Sequence, residues 1–477
     1  MKVAPILNLC LLLAICAAGC AHGPRTARET ANPTPLDTYV AKADSNYAFK
    51  VISTSPPAPD AAYTSYVIEM TSQHWLSPEQ VDRTEWKHWL VVAKPTELQS
   101  DTALLFIGGG KNGSEAPEGP DKRTAMLAVE TKSVVATLMM VPNQPLTFLN
   151  DPKKEARSED SLIAYAWNQY LMTGEAEWLP RLPMTKSVVR AMDTIQEFLG
   201  DEGTEINSFV VAGGSKRGWT TWTTAAVDNR VVGIAPMVID LLNTVPSFEH
   251  HWKVYGFWAP AVGDYQEQGL MDWSGTPEYD AMLKIVEPFS YRERYTMPKL
   301  VMNATGDEFF LPDSSQFYYD QFPEPKRLRY VPNSKHSMGD TDAPMSLASF
   351  HEALITGTPL PAYAWTFPDA NTIRVTTSDK PIAAKLWQAT NPDARDFRVD
   401  TIGKAWTSSD LADEGNGVFT GRVEKPAAGF SAFMVELTFA GPGEAPHKFT
   451  TPVRVVPDIY PHELVRPATP PKGFLSK

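Results

Sequence analysis

Between residues 36 and 358, short runs of continuous apolar sequence alternate with segments of helical periodicity. That alternation limits the fold more than any other feature of the chain. A strand that is apolar at every position must be buried on both faces, which requires a mostly parallel sheet covered by helices on each side. Trp86 to Val92 reads as an early strand, and Thr102 to Ile107 as a buried strand that stops at Gly108-Gly109-Gly110. Val134 to Val141 reads as another and ends in Pro142-Asn143-Gln144-Pro145. Helices are expected near Asp160 to Met172 and Met184 to Leu199, where Val188, Met192, Ile195 and Phe198 recur at helical spacing. Phe209 to Val211, Val231 to Ile239, Leu300 to Ala304 and Leu328 to Val331 continue the series of strands. The expected fold class is α/β, with a doubly wound sheet.

Two segments depart from this rhythm. Residues 245–298 fall between sheet strands and carry Phe248, Trp252, Tyr255, Phe257, Trp258, Tyr265 and Trp273. Such an insertion is expected either as a lid over the C-terminal edge of the sheet or as a packed excursion. Beyond Pro359-Leu360-Pro361 the helical signals stop. Ile373 to Thr377, Ala383 to Trp387, Val418 to Val423, Phe433 to Phe439 and Val453 to Val456 read as strands of a β-sandwich-like domain over 362–457, followed by a Pro-containing tail over 458–477.

The N-terminus has the pattern of an export signal. Lys2 precedes a nearly continuous apolar run from Val3 to Ala18, too short for a spanning helix. It ends in Ala17-Ala18-Gly19-Cys20, which resembles a bacterial lipobox. The expectation is a lipoprotein signal peptide over 1–19, lipidation of Cys20 and a polar tether over 20–35; the other reading is an ordinary signal peptide. The chain would then be held by lipid in a bacterial cell envelope, at the periplasmic face of the outer membrane. The three cysteines are Cys10, Cys16 and Cys20, so no thiolate nucleophile or Cys-type metal site exists beyond residue 20. With 43 Lys+Arg against 56 Asp+Glu the net charge is −13, which argues against a nucleic-acid partner.

The chemistry-bearing feature is Val210-Val211-Ala212-Gly213-Gly214-Ser215-Lys216-Arg217-Gly218-Trp219, a buried strand that runs through a Gly-flanked serine into a helix. This is the context of a nucleophile elbow, where a sharp turn exposes the serine above the sheet at a helix N-terminus. The spacing is G-x-S-x-x-G, with Arg217 where a small residue is usual. The acid and base should follow in that order at the ends of later strands. Asp307 follows Leu300 to Ala304 directly, with Glu308 and Asp313 as competitors. His336 follows Leu328 to Val331 and alone among nine histidines has the required order and context. The expected catalytic residues are therefore Ser215, Asp307 and His336. The oxyanion hole would combine the N–H of Lys216 with that of Gly109 or Gly110. Lys216 and Arg217 sit in a helix's first turn, where cations are unfavourable, and call for a buried acid or an anionic substrate. His250-His251 lacks accompanying ligands, and Gly108 to Gly113 lacks a phosphate-loop ending, so neither a metal nor another cofactor is expected.

The chain resembles the PhoPQ-activated pathogenicity-related protein family. The resemblance rests on Gly213 to Thr220, Val141 to Pro145, Trp178-Leu179-Pro180-Arg181-Leu182-Pro183-Met184-Thr185-Lys186, Asn303 to Phe309 and Ser431 to Leu437. It implies an α/β-hydrolase domain over 36–358 with a C-terminal β-domain, in a secreted or envelope protein. The elbow also resembles the G-C-S-R-x-G of glucuronoyl esterases, where a cation after the serine helps hold the oxyanion. Two functions are carried forward. One is an envelope-anchored serine hydrolase cleaving an ester or amide bond of a small-molecule, peptide or saccharide substrate, including a carbohydrate esterase. The other is a non-catalytic envelope binding protein on a hydrolase scaffold.

Overall fold

The computed structural model describes residues 28, 30, 32–56 and 62–476. The signal segment, Cys20 and most of the tether lie outside the described residues. The first strands are β1 (Ala48–Ser55), β2 (Tyr63–His74) and β3 (Glu85–Pro95), an antiparallel meander. Then come β4 (Thr102–Ile107) and β5 (Val135–Leu138), with a separate short ladder of β6 (Leu146–Thr147) and β7 (Ala156–Arg157). The remaining sheet strands are β8 (Ser208–Gly214), β9 (Val231–Met237), β10 (Lys299–Ala304) and β11 (Lys326–Val331).

These form one nine-stranded sheet in the order β1-β2-β3-β5-β4-β8-β9-β10-β11. From β5 through β11 every neighbour is parallel. The apolar runs explain that arrangement: all six residues of β10 are buried, and in β8 the five central residues are. The polar strand β1 occupies an edge and is largely exposed. From β4 the chain first moves outward to β5 and later returns on the other side at β8. The C-terminal ends of β4 and β8 therefore flank a topological switch point, where such sheets form their ligand crevice.

Helices α1 (Pro35–Ala41), α2 (Lys122–Thr131), α3 (Glu159–Thr173) and α4 (Arg181–Asp201) precede β8, and α5 (Lys216–Val227) links it to β9. All of α5 except Arg217 is buried. Its threonines avoid the cost of burial by donating to the preceding turn, as Thr220 does to Lys216 O and Thr224 to Thr220 O. The insertion contains α6 (Thr244–Tyr255), α7 (Gly263–Glu267) and α8 (Pro277–Val286), and α9 (Ala343–Thr356) follows β11. Among the described residues no helix is long and apolar enough to cross a membrane.

The C-terminal part is antiparallel. One sheet joins β12 (Tyr363–Asp369), β13 (Thr372–Thr377) and β16 (Val418–Arg422). The other joins β14 (Ala383–Asn391), β15 (Thr407–Asp410), β17 (Phe430–Phe439), β18 (His447–Thr450) and β19 (Arg454–Val456). Phe433, Val435 and Phe449 share a core with Leu300, Met302 and Val331. The chain thus has the α/β-hydrolase fold with a C-terminal β-sandwich-like unit packed against it. Two strands are shorter than the apolar runs suggest. β9 stops at Met237 because Val238 turns to φ 43, and β5 stops at Leu138 ahead of Met140 at φ 65.

Candidate active site

Ser215 lies between β8 and α5 with φ 58 and ψ −126, a strained conformation for a residue with a Cβ. Its N–H donates to Met237 O at 2.8 Å, and its own carbonyl accepts the Trp219 N–H at 2.9 Å. The glycines explain the unusual spacing. A Cβ on Gly213 would lie 2.8 Å from Arg217 O, and one on Gly218 would lie 2.7 Å from Met237 O. The position that must be small where α5 crosses β9 is thus 218. Position 217 is free to carry a long side chain, which turns toward the glycine turn after β4.

Ile107 pairs with Gly213, so Gly108-Gly109-Gly110 leaves the sheet beside the elbow. A Cβ on Gly109 would meet Arg217 Nη2 at 2.9 Å, and Gly110 adopts φ 140. Arg217 donates from Nε to Val141 O at 2.6 Å and through both terminal nitrogens to Glu159 at 2.6 and 2.8 Å. Lys216 Nζ lies 2.9 Å from Glu159 Oε2 and 3.1 Å from Asp160 Oδ2. Burial pushes the Glu159 carboxyl up, but Arg217 and Lys216 outweigh it and hold the group down at about 2. The two cations at the start of α5 therefore have acid partners, the half-exposed Glu159 and the part-buried Asp160 in the first turn of α3, in place of a fully buried acid.

Asp307 and His336 come together from the loops after β10 and β11. His336 Nδ1 lies 2.8 Å from Asp307 Oδ2 and 3.0 Å from Oδ1. Oδ1 also accepts the Phe309 N–H at 2.8 Å. A carboxylate at Nδ1 requires the proton there, so Nε2 carries the lone pair. Nε2 is buried and has no hydrogen-bond partner among the described residues. The rings of Phe309 and Phe310 pack on the imidazole, with centroids 4.3 and 5.8 Å away. The competing acids have other uses. Glu308 accepts the His336 backbone N–H at 2.9 Å. Asp313 binds His250 Nε2 at 2.9 Å and Arg395 of the C-terminal unit at 2.6 Å. His251 instead accepts the Ala259 N–H, so the adjacent histidines serve different partners.

A narrow cavity of about 40 Å³ lies beside the serine. Ser215, Lys216, Asp160 and Arg181 supply its polar wall, and Phe309 and Phe310 connect it to His336. The insertion closes it with Phe248, Val262, Tyr265, Leu270, Met271 and Tyr279. Four residues near the site were not singled out for it from sequence: Glu159, Asp160, Arg181 and Asp240. Asp240 had a usable signal, an acid just past an apolar strand. Its oxygens accept from Tyr318 OH at 2.7 Å and Tyr330 OH at 2.6 Å, and burial pushes its carboxyl well above the usual range.

A strained serine at the switch point, on the same sheet edge as an Asp–His pair, belongs to the class of α/β-hydrolase folds. Within that class the chain belongs to the family of the PhoPQ-activated pathogenicity-related protein, whose model matches residues 36–398. It is 38% identical over 458 residues to "Autocrine proliferation repressor protein A" of Dictyostelium discoideum, covering 90% of this chain and 91% of that protein. Among solved structures it is similar to acetyl xylan esterase 1 from Thermoanaerobacterium sp. JW/SL YS485, with TM-score 0.46 and 13% identity over 68% of this chain and 94% of the other. An acetyl xylan esterase from Paenibacillus sp. R4 gives TM-score 0.43 and 15% identity over 65% of this chain and 91% of the other.

Proposed function

We propose that the protein is a serine hydrolase that cleaves an ester or amide bond through Ser215, His336 and Asp307. One observation carries this reading above the others. A histidine with Nδ1–H committed to a buried aspartate, and Nε2 left without a partner, stands at the same sheet edge as a serine on a strained strand-to-helix turn. In this reading Ser215 Oγ attacks the carbonyl, and His336 Nε2 takes its proton and returns it to the leaving group. Asp307 fixes the tautomer and stabilises the imidazolium. The oxyanion receives the Lys216 N–H and an N–H from Gly109 or Gly110. Loss of one such donor would raise the barrier by about 3 kcal/mol.

The test is covalent. A fluorophosphonate should label Ser215, and Ser215→Ala should abolish both labelling and p-nitrophenyl acetate hydrolysis. Folded wild-type protein that takes no label and hydrolyses nothing above background would leave the scaffold reading in its place. We further propose that lipid on Cys20 holds the protein at the periplasmic face of a bacterial outer membrane. Support comes from the lipobox-like Ala17-Ala18-Gly19-Cys20 after an apolar run. Radiolabelled palmitate should enter the protein and fail to enter a Cys20→Ser variant.

A further inference from the structure

The segment Trp178 to Lys186 has no role in the chemistry above, yet it brings a cation to the serine's cavity. Arg181, the first residue of α4, is 2% exposed and lines that cavity with Ser215. Its guanidinium lies over the Trp219 ring at 4.7 Å. Its hydrogen bonds run through Nη1 alone, which donates to Lys216 O at 2.8 Å and lies 4.0 Å from Met184 Sδ. Nε is buried without a partner, and burial lowers the group from its usual value to about 10.

Among the described residues Arg181 forms no ion pair, in contrast to Lys216 and Arg217. Arg181, Lys216 and Arg217 face Glu159 and Asp160. Glu159 is taken by Arg217 and Lys216, and Asp160 by Lys216 and the Tyr265 hydroxyl at 2.9 Å. Asp240 is taken by the Tyr318 and Tyr330 hydroxyls, and Glu287 by the Thr244 N–H and hydroxyl. Arg181 is thus the buried cation of the three that has no acid of its own within ion-pair distance among the described residues. A buried cation of this kind is stable only with a partner.

We infer that Arg181 is a carboxylate-binding residue of the substrate cavity, and that the substrate carries a free carboxylate; this rests on the hydrolase reading of the same cavity. The Nε–Nη2 edge of a guanidinium matches a carboxylate in a paired, planar geometry. Trp167, Trp219, Tyr265 and Phe248 offer apolar walls for the carbon skeleton behind it. The resulting selection is for an anionic over a neutral ester or amide, since a neutral ligand leaves the guanidinium unpaired.

Calorimetric titration of the lipid-free mature chain with benzoate and benzamide tests this directly. Benzoate should bind saturably, and benzamide at least tenfold more weakly. Arg181→Gln should weaken benzoate at least tenfold, and Arg181→Lys should retain part of the preference. Benzoate, and not benzamide, should slow fluorophosphonate labelling of Ser215. Equal binding of the two ligands, no binding of benzoate, or benzoate affinity unchanged in Arg181→Gln would overturn the inference. The wild-type comparison decides the matter even where Arg181→Gln fails to fold. Benzoate binding through Arg181 without labelling of Ser215 would keep the anion site and remove the hydrolase reading. Labelling without discrimination between the two ligands would do the reverse.

Discussion

Replacing Asp307 by Asn tests the triad with almost no change of shape. The backbone determines the outcome. Asp307 Oδ1 accepts the Phe309 N–H at 2.8 Å and the Phe310 N–H at 3.4 Å, so an Asn side chain must keep its oxygen there. Its NH₂ then faces His336 Nδ1, now 2.8 Å from Oδ2. A donor at that point forces the imidazole proton onto Nε2. The ring can no longer accept the proton of Ser215, and no carboxylate stabilises the imidazolium. The expected loss in kcat is about 10⁴-fold, roughly 5 kcal/mol in the transition state. Folding should lose only about 1–2 kcal/mol, because the acceptor for the backbone remains and one charge-assisted bond is lost. Glu308→Gln is the control. Glu308 accepts the His336 backbone N–H, which a Gln oxygen still does, so activity should fall by less than tenfold. The assay is p-nitrophenyl acetate hydrolysis at saturating substrate, with thermal unfolding of each variant. A loss under tenfold in Asp307→Asn, or equal losses in the two variants, would refute this assignment of roles.

Two further changes probe the frame around the site. Gly218→Ala brings a Cβ to 2.7 Å from Met237 O and 3.0 Å from Gly213 O, both backbone atoms, so about 1–3 kcal/mol of stability should be lost, read as a lower Tm. The Glu287 carboxyl is raised by burial from 4.5 to about 7, against the opposing hydrogen bonds from Thr244. Since the folded state holds this proton more tightly, the contribution of Glu287 to stability should be full below about pH 4.5 and be lost as pH rises through about 7. The total fall from this group is about 3 kcal/mol. Glu287→Gln keeps the acceptor for Thr244 and should flatten that part of the pH–stability curve; an unchanged slope would refute the assignment.

What could be read from sequence follows burial. β4 and β10 are mostly apolar and mostly buried, and the apolar runs mark Thr102 to Ile107 as it stands and Leu300 to Ala304 within one residue. α5 was legible because strand, glycines and helix adjoin in sequence. β1, β2, β6, β7, β12, β15 and β18 are not anticipated from the sequence. β1 and β12 are edge strands and largely exposed, so no apolar run marks them. β18 is four residues long. The site divides the same way. Ser215, Asp307 and His336 each follow a strong strand, and topology orders them. Glu159 and Asp160 open a helix, where acids are ordinary partners of the helix dipole. Nothing local distinguishes them from caps; only folding brings Lys216 and Arg217 across to them.

That crossing gives the elbow its unusual sequence a physical reason. Cations in the first turn of α5 oppose the helix dipole, which favours the negative charge that develops near Ser215. Pairing them with Glu159 and Asp160 removes most of that opposition and turns the charges to another use. Arg217 ties α5 to Val141 and to the start of α3 while its guanidinium closes over Gly109. The glycine turn and the Lys216 N–H, the two sources of oxyanion donors in the proposed mechanism, are thereby held relative to each other by one side chain. A small residue at 217 would satisfy the usual elbow spacing and lose that link. In this chain Gly218 supplies the close approach to β9, and Arg217 is free to fix the geometry on which the proposed stabilisation of the oxyanion would depend.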